Sequence, residues 1–169
     1  MSITSTDDLF HRLGDPLRMR TLAGYDLSTP GLAVHLDPIC GDTAARLNAP
    51  VSLISIVLDR TQFIVGSHGL DGWVDGMQGV PAEWAICTHT VLAGAPYRVA
   101  DALTDPQHMD NPLLAATGLR SYAGVPLLDP NGQALGAHCV LDVAARELTE
   151  PELEILRAGA RRAMAILAA

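Results

Sequence analysis

The sequence contains no lysine: all 11 of its basic residues are arginine. That excludes lysine Schiff-base chemistry and any phosphate loop built around a lysine. Cysteine is scarce. Cys40, Cys87 and Cys139 stand 47 and 52 positions apart. An odd number at such spacing makes neither a disulfide framework nor a CxxC zinc or redox motif. No apolar run approaches the roughly 20 residues of a membrane span. The N-terminus, MSITSTDDLF, has no basic region followed by a long apolar one, so no signal peptide is read and a cytoplasmic location is expected. Positive charge is also short, 11 against 19 acidic residues, for a net charge of −8. This argues against nucleic acid or an anionic membrane as the main partner.

What remains is a chain of 169 residues, 49% apolar and 18% charged. That composition reads as one globular domain with a real core. The expected division is a helical segment over 1–30 followed by the domain proper over 31–169.

Acidic residue–proline pairs punctuate the chain. Asp15-Pro16 and Asp37-Pro38 read as a helix N-cap followed by proline in the first turn. Helices are expected near 6–13, 16–24 and 38–48, the last with an alternative start near Leu32 and a break at Pro38. VSLISIVLD (51–59) and QFIVGSH (62–68) read as antiparallel strands. Residues 69–83 carry four glycines and a proline and read as a long loop. A short helix over 87–93 and a strand over 97–100 follow. The turn-rich stretch 101–118 should hold one short helix after Pro106 and another after Pro112. Residues 121–142 read as a hairpin turning at Asp129-Pro130-Asn131-Gly132. Strict alternation there puts Leu135, Ala137, Cys139 and Leu141 on one side and Gly136, His138 and Val140 on the other. The C-terminus is a helix with a Thr149–Glu152 capping box. Its apolar side spans about half the circumference, wider than one sheet contact needs. The fold class is α+β: an antiparallel sheet of about six strands, with terminal helices on one face and a ligand pocket under loops and short helices on the other.

QFIVGSHGL (62–70), ICTHTVLAGAPYRVADALTDPQHMDNPLL (86–114), RSYAGVPLLDPNGQALGAHCVLD (120–142) and RELTEPE (146–152) together resemble the GAF domain family, the small-molecule sensor modules of signalling proteins. The resemblance runs from about Leu32 to the end. It implies a six-stranded antiparallel sheet, a ligand pocket on one face and terminal helices that pair in a dimer. It names no ligand, because family members take different ones. It implies a sensory or regulatory module acting in signal transduction, with a small-molecule ligand and a separate signalling protein as partners. The wide apolar side of the last helix adds the expectation of a homodimer.

Within the ligand-side segments, the candidate binding residues are Trp84, Cys87, His89, His108, Asn111, Tyr122 and His138. Cys139 reads as core. His138 is either turned to the pocket or a hydrogen-bonded core histidine, and the sequence leaves both open. The first turn after Pro112 could receive an anion, helped by Arg120 or Tyr122. Trp73 reads as an anchor of the 69–83 loop. No catalytic or metal residue is assigned. Two alternatives are carried. One is a cysteine-dependent enzyme of the free methionine sulfoxide reductase type, whose reactive cysteines lie closer in sequence than those here. The other is a haem-based gas sensor using one of six histidines. The cyclic-nucleotide and bilin signatures of the family are not matched.

Overall fold

The computed structural model describes residues 5–70 and 79–169. Trp73 and the middle of the expected 69–83 loop lie outside them. The helices are α1 (Thr6–Leu13), α2 (Pro16–Ala23), α3 (Leu32–Leu47), α4 (Cys87–Ala93), α5 (Pro112–Thr117) and α6 (Glu150–Leu167). The strands are β1 (Val51–Val57), β2 (Thr61–His68), β3 (Gly79–Pro81), β4 (Tyr97–Val99), β5 (Ser121–Leu128) and β6 (Ala134–Asp142). They form one antiparallel sheet in the order β3-β2-β1-β6-β5-β4. The α+β class and the six-stranded sheet are those expected from the sequence.

β1 and β6 lie at the centre, and β1 is buried at every position. Both sheet faces are therefore core. On one face α3 and α6 pack Leu36, Ile39, Leu153, Leu156 and Ala163 against Ile54, Val125, Leu127 and Val140. On the other, α4 and α5 pack Cys87, Val91 and Leu114 against Leu53, Ala137, Cys139 and Leu141.

The N-terminal helices dock at the end of the central strands. Leu9 and Leu13 of α1 join the α4 side of the core, while Leu22 of α2 joins the α3–α6 side. The terminal helices thus do not all share one face. Arg18 joins the pieces: it is 5% exposed, its Nε donates to Ala134 O at 2.9 Å and its Nη1 to Leu13 O at 2.7 Å, and its Nη2 donates to Val57 O. A planar guanidinium fork serves three carbonyls at once, which an ammonium cannot do in this geometry. Burial holds its pKa down at about 10.

Four local differences from the sequence reading have physical causes. α3 runs through Pro38 without a break; the carbonyl that Pro38 leaves unpaired belongs to Val34, which is 71% exposed, so water can serve it. After Pro106 there is only a turn, in which His108 N and Met109 N both donate to Asp105 O. Gly79–Pro81 is a short edge strand rather than loop, paired to β2 from Phe63 to Thr61. Finally, an irregularity where β6 pairs with Leu127 and Leu128 breaks the alternation, so Leu135 packs with the α3–α6 side, opposite Cys139.

The wide apolar side of α6 is met largely within the chain, because α3 lies along it. Ile155, Met164 and Ile166 pack against the α3–α6 core. The large apolar side chains most exposed among the described residues, such as Leu17, Val34 and Leu103, are not on α6.

His138 holds the helix layer to the sheet. Its Nδ1 lies 2.9 Å from Leu53 O and its Nε2 2.8 Å from Thr43 Oγ1 of α3. A carbonyl only accepts, so Nδ1 carries the proton and Nε2 accepts from the threonine. α6 presses on the same ring at Gly159, where a Cβ would sit 2.6 Å from Nε2. Burial pushes the His138 pKa down to about 4. Between that value and about 6.5 the unfolded chain binds the extra proton. Stability is therefore complete above about pH 6.5 and falls as the pH drops toward 4, by up to about 3 kcal/mol from this group. Urea denaturation across that window should show the loss in the wild type and a shallower slope in His138→Gln. Equal slopes would refute the assignment.

Candidate functional site

α4 and β5 build the site. Thr88 Oγ1 donates to Ala82 O at 2.7 Å and fixes the start of α4. Gly94, in the left-handed region at φ 60, ends it. Cys87, Thr90 and Val91 then point to the sheet, as helical spacing requires. On β5, Tyr122 faces α4 while Ala123 faces the helix layer. Gly124 is the next residue on Tyr122's face, and the phenol lies over it; a Cβ at Gly124 would collide with the Tyr122 hydroxyl. This small residue lets the ring lie flat and reach α4. Thr90 Oγ1 is 2.8 Å from Tyr122 Oη, and Tyr122 Oη donates to Cys87 Sγ at 3.4 Å. Since the phenol proton goes to sulfur, the Thr90 hydroxyl donates to the phenol oxygen.

Cys87 Sγ also lies 3.9 Å from Cys139 Sγ. All three cysteines are free and buried. The Cys139 thiol, then the Ser55 and Tyr122 hydroxyls, favour the Cys87 thiolate and draw its pKa down against the effect of burial. Burial drives Cys139 well up, and Tyr122 likewise. Cys87 is thus the first of the pair to ionise. Cys40 belongs to the opposite core, and burial raises its pKa to about 12.

Beside this group is a space of about 60 Å³, walled by Leu53, Ile64, Val80, Ile86, Leu114 and Leu119. Cys87, Tyr122, Thr117 and Gln62 supply its polar atoms. Gln62 is 4% exposed, and its Oε1 is buried with no hydrogen-bond partner among the described residues. Buried polar atoms almost always find partners, so an orphan on a cavity wall is a place for one.

The expected site residues divide into groups. Cys87 and Tyr122 line this cavity. His89 and His108 sit in a neighbouring aromatic cluster: His89 stacks on Tyr97 at 5.2 Å, and His108 Nε2 lies 2.6 Å from Tyr97 Oη. Burial, with His108 nearby, lowers the His89 pKa to about 4, and burial lowers that of His108, so both rings favour the neutral form. Asn111 is occupied structurally. Its Oδ1 caps α5 through Leu113 N and Leu114 N, and its Nδ2 donates to Trp84 O at 2.9 Å. Trp84 itself is 38% exposed. His138 stands on the other face of the sheet, so the structure resolves the open reading in favour of a core histidine. The expected anion receptor after Pro112 is taken by the Asn111 cap, and Arg120 is paired with Asp101 at 2.7 Å.

Sequence reasoning missed Gln62, Thr90, Leu114 and Thr117. Gln62 gave no signal: it shares its strand face with Ile64, while the adjacent Phe63 is the exposed one. The Cys87–Cys139 approach was hidden by the 52 positions between them.

A family model for the GAF domain matches residues 32–167. The chain belongs to the GAF domain family. It is 33% identical over 131 residues to a cyclic di-GMP phosphodiesterase of Pseudomonas aeruginosa, a match covering 76% of this chain and 22% of that one. The chain thus corresponds to under a quarter of that relative. A GAF domain from a phosphoenolpyruvate-protein phosphotransferase of Coxiella burnetii superposes with a TM-score of 0.67 at 17% identity, over 98% of this chain and 95% of that one. The free methionine-R-sulfoxide reductase of Neisseria meningitidis, solved with its substrate, superposes with a TM-score of 0.63 at 14% identity, over 99% and 93%. These two likenesses establish the GAF fold alone.

The roles assigned to Asn111 predict that Asn111→Ala destabilises the protein by about 1–2 kcal/mol through the lost cap. Chemical denaturation would show it; an unchanged midpoint would free Asn111 for another role.

Proposed function

We propose that this GAF domain is a small-molecule-binding sensory or regulatory module acting in signal transduction, with the cavity between β1, β2, β5 and α4–α5 as its ligand site. The observation that carries this is the orphan Gln62 Oε1 on the wall of an otherwise apolar cavity. A ligand donating one hydrogen bond to it, and otherwise apolar, satisfies both features. The space of about 60 Å³ equals roughly two waters of liquid volume. It is far below the roughly 300–1,000 Å³ of drug-sized sites, which favours a ligand of a few heavy atoms over a haem in this cavity. The P. aeruginosa relative is a cyclic di-GMP phosphodiesterase, of which the match covers 22%. It supports a regulatory role in signalling.

If Gln62 is kept for a ligand, it is a cost in the empty protein. An unsatisfied buried acceptor is unfavourable by about 1–3 kcal/mol. Gln62→Leu should therefore raise the melting temperature of the ligand-free protein and abolish the thermal shift produced by any ligand found in a small-molecule screen. A Gln62→Leu protein less stable than wild type would overturn the reading.

For assembly we propose a homodimer through the outward side of α6, where Arg157, Arg161 and Met164 border a groove with Pro126 and Leu128. Leu128 is 44% exposed there. Light scattering at high micromolar concentration should give a dimer that Met164→Glu dissociates. A monomeric wild type removes the proposal.

A further inference from the structure

The cavity and the thiol pair meet at Cys87, and the chemistry there differs from reversible binding. Its sulfur is on the cavity wall, 3.9 Å from Cys139 Sγ, with the Tyr122 hydroxyl donating to it at 3.4 Å. A disulfide needs the sulfurs at about 2.05 Å. The remaining gap is roughly 2 Å. The apolar lining admits a neutral molecule, and the volume limits it to a few heavy atoms.

We propose that Cys87 and Cys139 are a reactive dithiol that reduces small hydroperoxides entering the cavity, with Cys87 as the nucleophile and Cys139 as the resolving thiol. The Cys87 thiolate attacks the outer peroxide oxygen, the O–O bond breaks, and the alkoxide or hydroxide leaves with a proton, giving Cys87 sulfenic acid and an alcohol or water. Cys139 sulfur then displaces hydroxide from the Cys87 sulfur, forming the Cys87–Cys139 bond and releasing water. Two thiols and one hydroperoxide become one disulfide, one alcohol or water and one further water. Two electrons pass from sulfur to oxygen.

Three features suit these steps. Nucleophilic attack requires the thiolate, and the donors around Cys87 lower its pKa without a cation. The Thr90–Tyr122–Cys87 chain supplies a hydroxyl proton beside the reacting sulfur. The Gln62 amide on the same wall offers a partner for the peroxide O–H. Cys40, on the other side of the sheet with its pKa raised to about 12, takes no part and serves as an internal control. The reaction requires no resident ligand and so stands apart from the binding role proposed above.

The test exposes the reduced protein to a small excess of hydrogen peroxide and follows intact mass and cysteine peptides. The expected product has lost two hydrogens, carries a Cys87–Cys139 disulfide and leaves Cys40 as a free thiol. Its rate should rise from pH 6 to pH 8, tracking the Cys87 thiolate. Cys139→Ser should stop at a Cys87 sulfenic acid trapped by dimedone. Tyr122→Phe, which keeps the ring, should slow the reaction several-fold and move its pH profile upward. This variant decides the matter even if the cysteine replacements fold poorly. A bulkier peroxide, cumene hydroperoxide, should react at least tenfold more slowly than hydrogen peroxide. Oxidation of Cys40 ahead of Cys87, or a folded wild type whose Cys87 and Cys139 stay reduced, would overturn the proposal. A Tyr122→Phe profile identical to wild type would refute the assigned role of the phenol.

Discussion

Burial of the central strand on both faces is the constraint from which the rest follows. β6 lies between β1 and β5, under helices on one side and under α4 on the other. Apart from Asp142 at its end, no polar side chain on it reaches water, so each must find a partner inside. His138 does so with Leu53 O and Thr43, and Cys139 does so with Cys87. Because consecutive strand residues point opposite ways, these two adjacent residues organise two different layers. His138 sets where α3 and α6 sit, with Gly159 making the room. Cys139 sets where α4 begins. The scaffold side is neutral and fully hydrogen-bonded, while the α4 side keeps a void and an unsatisfied amide.

The N-terminal helices show how such a core is closed at its end. α1 and α2 are eight residues each, too short to be stable alone. Arg18 makes them part of the domain by bonding the last carbonyl of β1, the first of β6 and the end of α1. It does so without a carboxylate in direct contact, though Asp15 and Asp59 lie near enough to offset part of the burial. A buried charge held by carbonyl dipoles is costly to strip of its partners. The helices are therefore fixed to the central strands more firmly than their small apolar contribution would allow.

Local signals were legible in the sequence and long-range ones were not. The Thr149–Glu152 capping box forms as read. So does the Asp129–Gly132 turn, with Gly132 at φ 84 and Gly132 N donating to Asp129 O. These are settled by residues within four positions of each other. The sheet class followed from strand composition and hairpin spacing. What escaped depends on distant partners. β3 is a strand only because β2 lies beside it. Leu135 changes face because of an irregularity in the β5–β6 pairing, which alternation alone cannot show. Cys87 and Tyr122 stood out in the sequence as candidates, yet Gln62 did not. A polar residue in a strand signals burial only once the tertiary packing is known.

The same reasoning bears on how a signal could leave the site. Whatever fills the cavity touches Cys87, and whatever changes Cys87 changes a cavity wall, because one side chain belongs to both. Cys87 begins α4, and Cys139 stands on the strand whose opposite face carries His138. A change at the thiol pair is therefore one peptide unit from the imidazole that seats α3 and α6. Packed interiors do not absorb displacement gradually, since their side chains occupy discrete rotamers at near-crystalline density. The ligand side and the helix layer are thus joined through the two neighbouring residues His138 and Cys139, by covalent geometry and not by a chain of loose contacts.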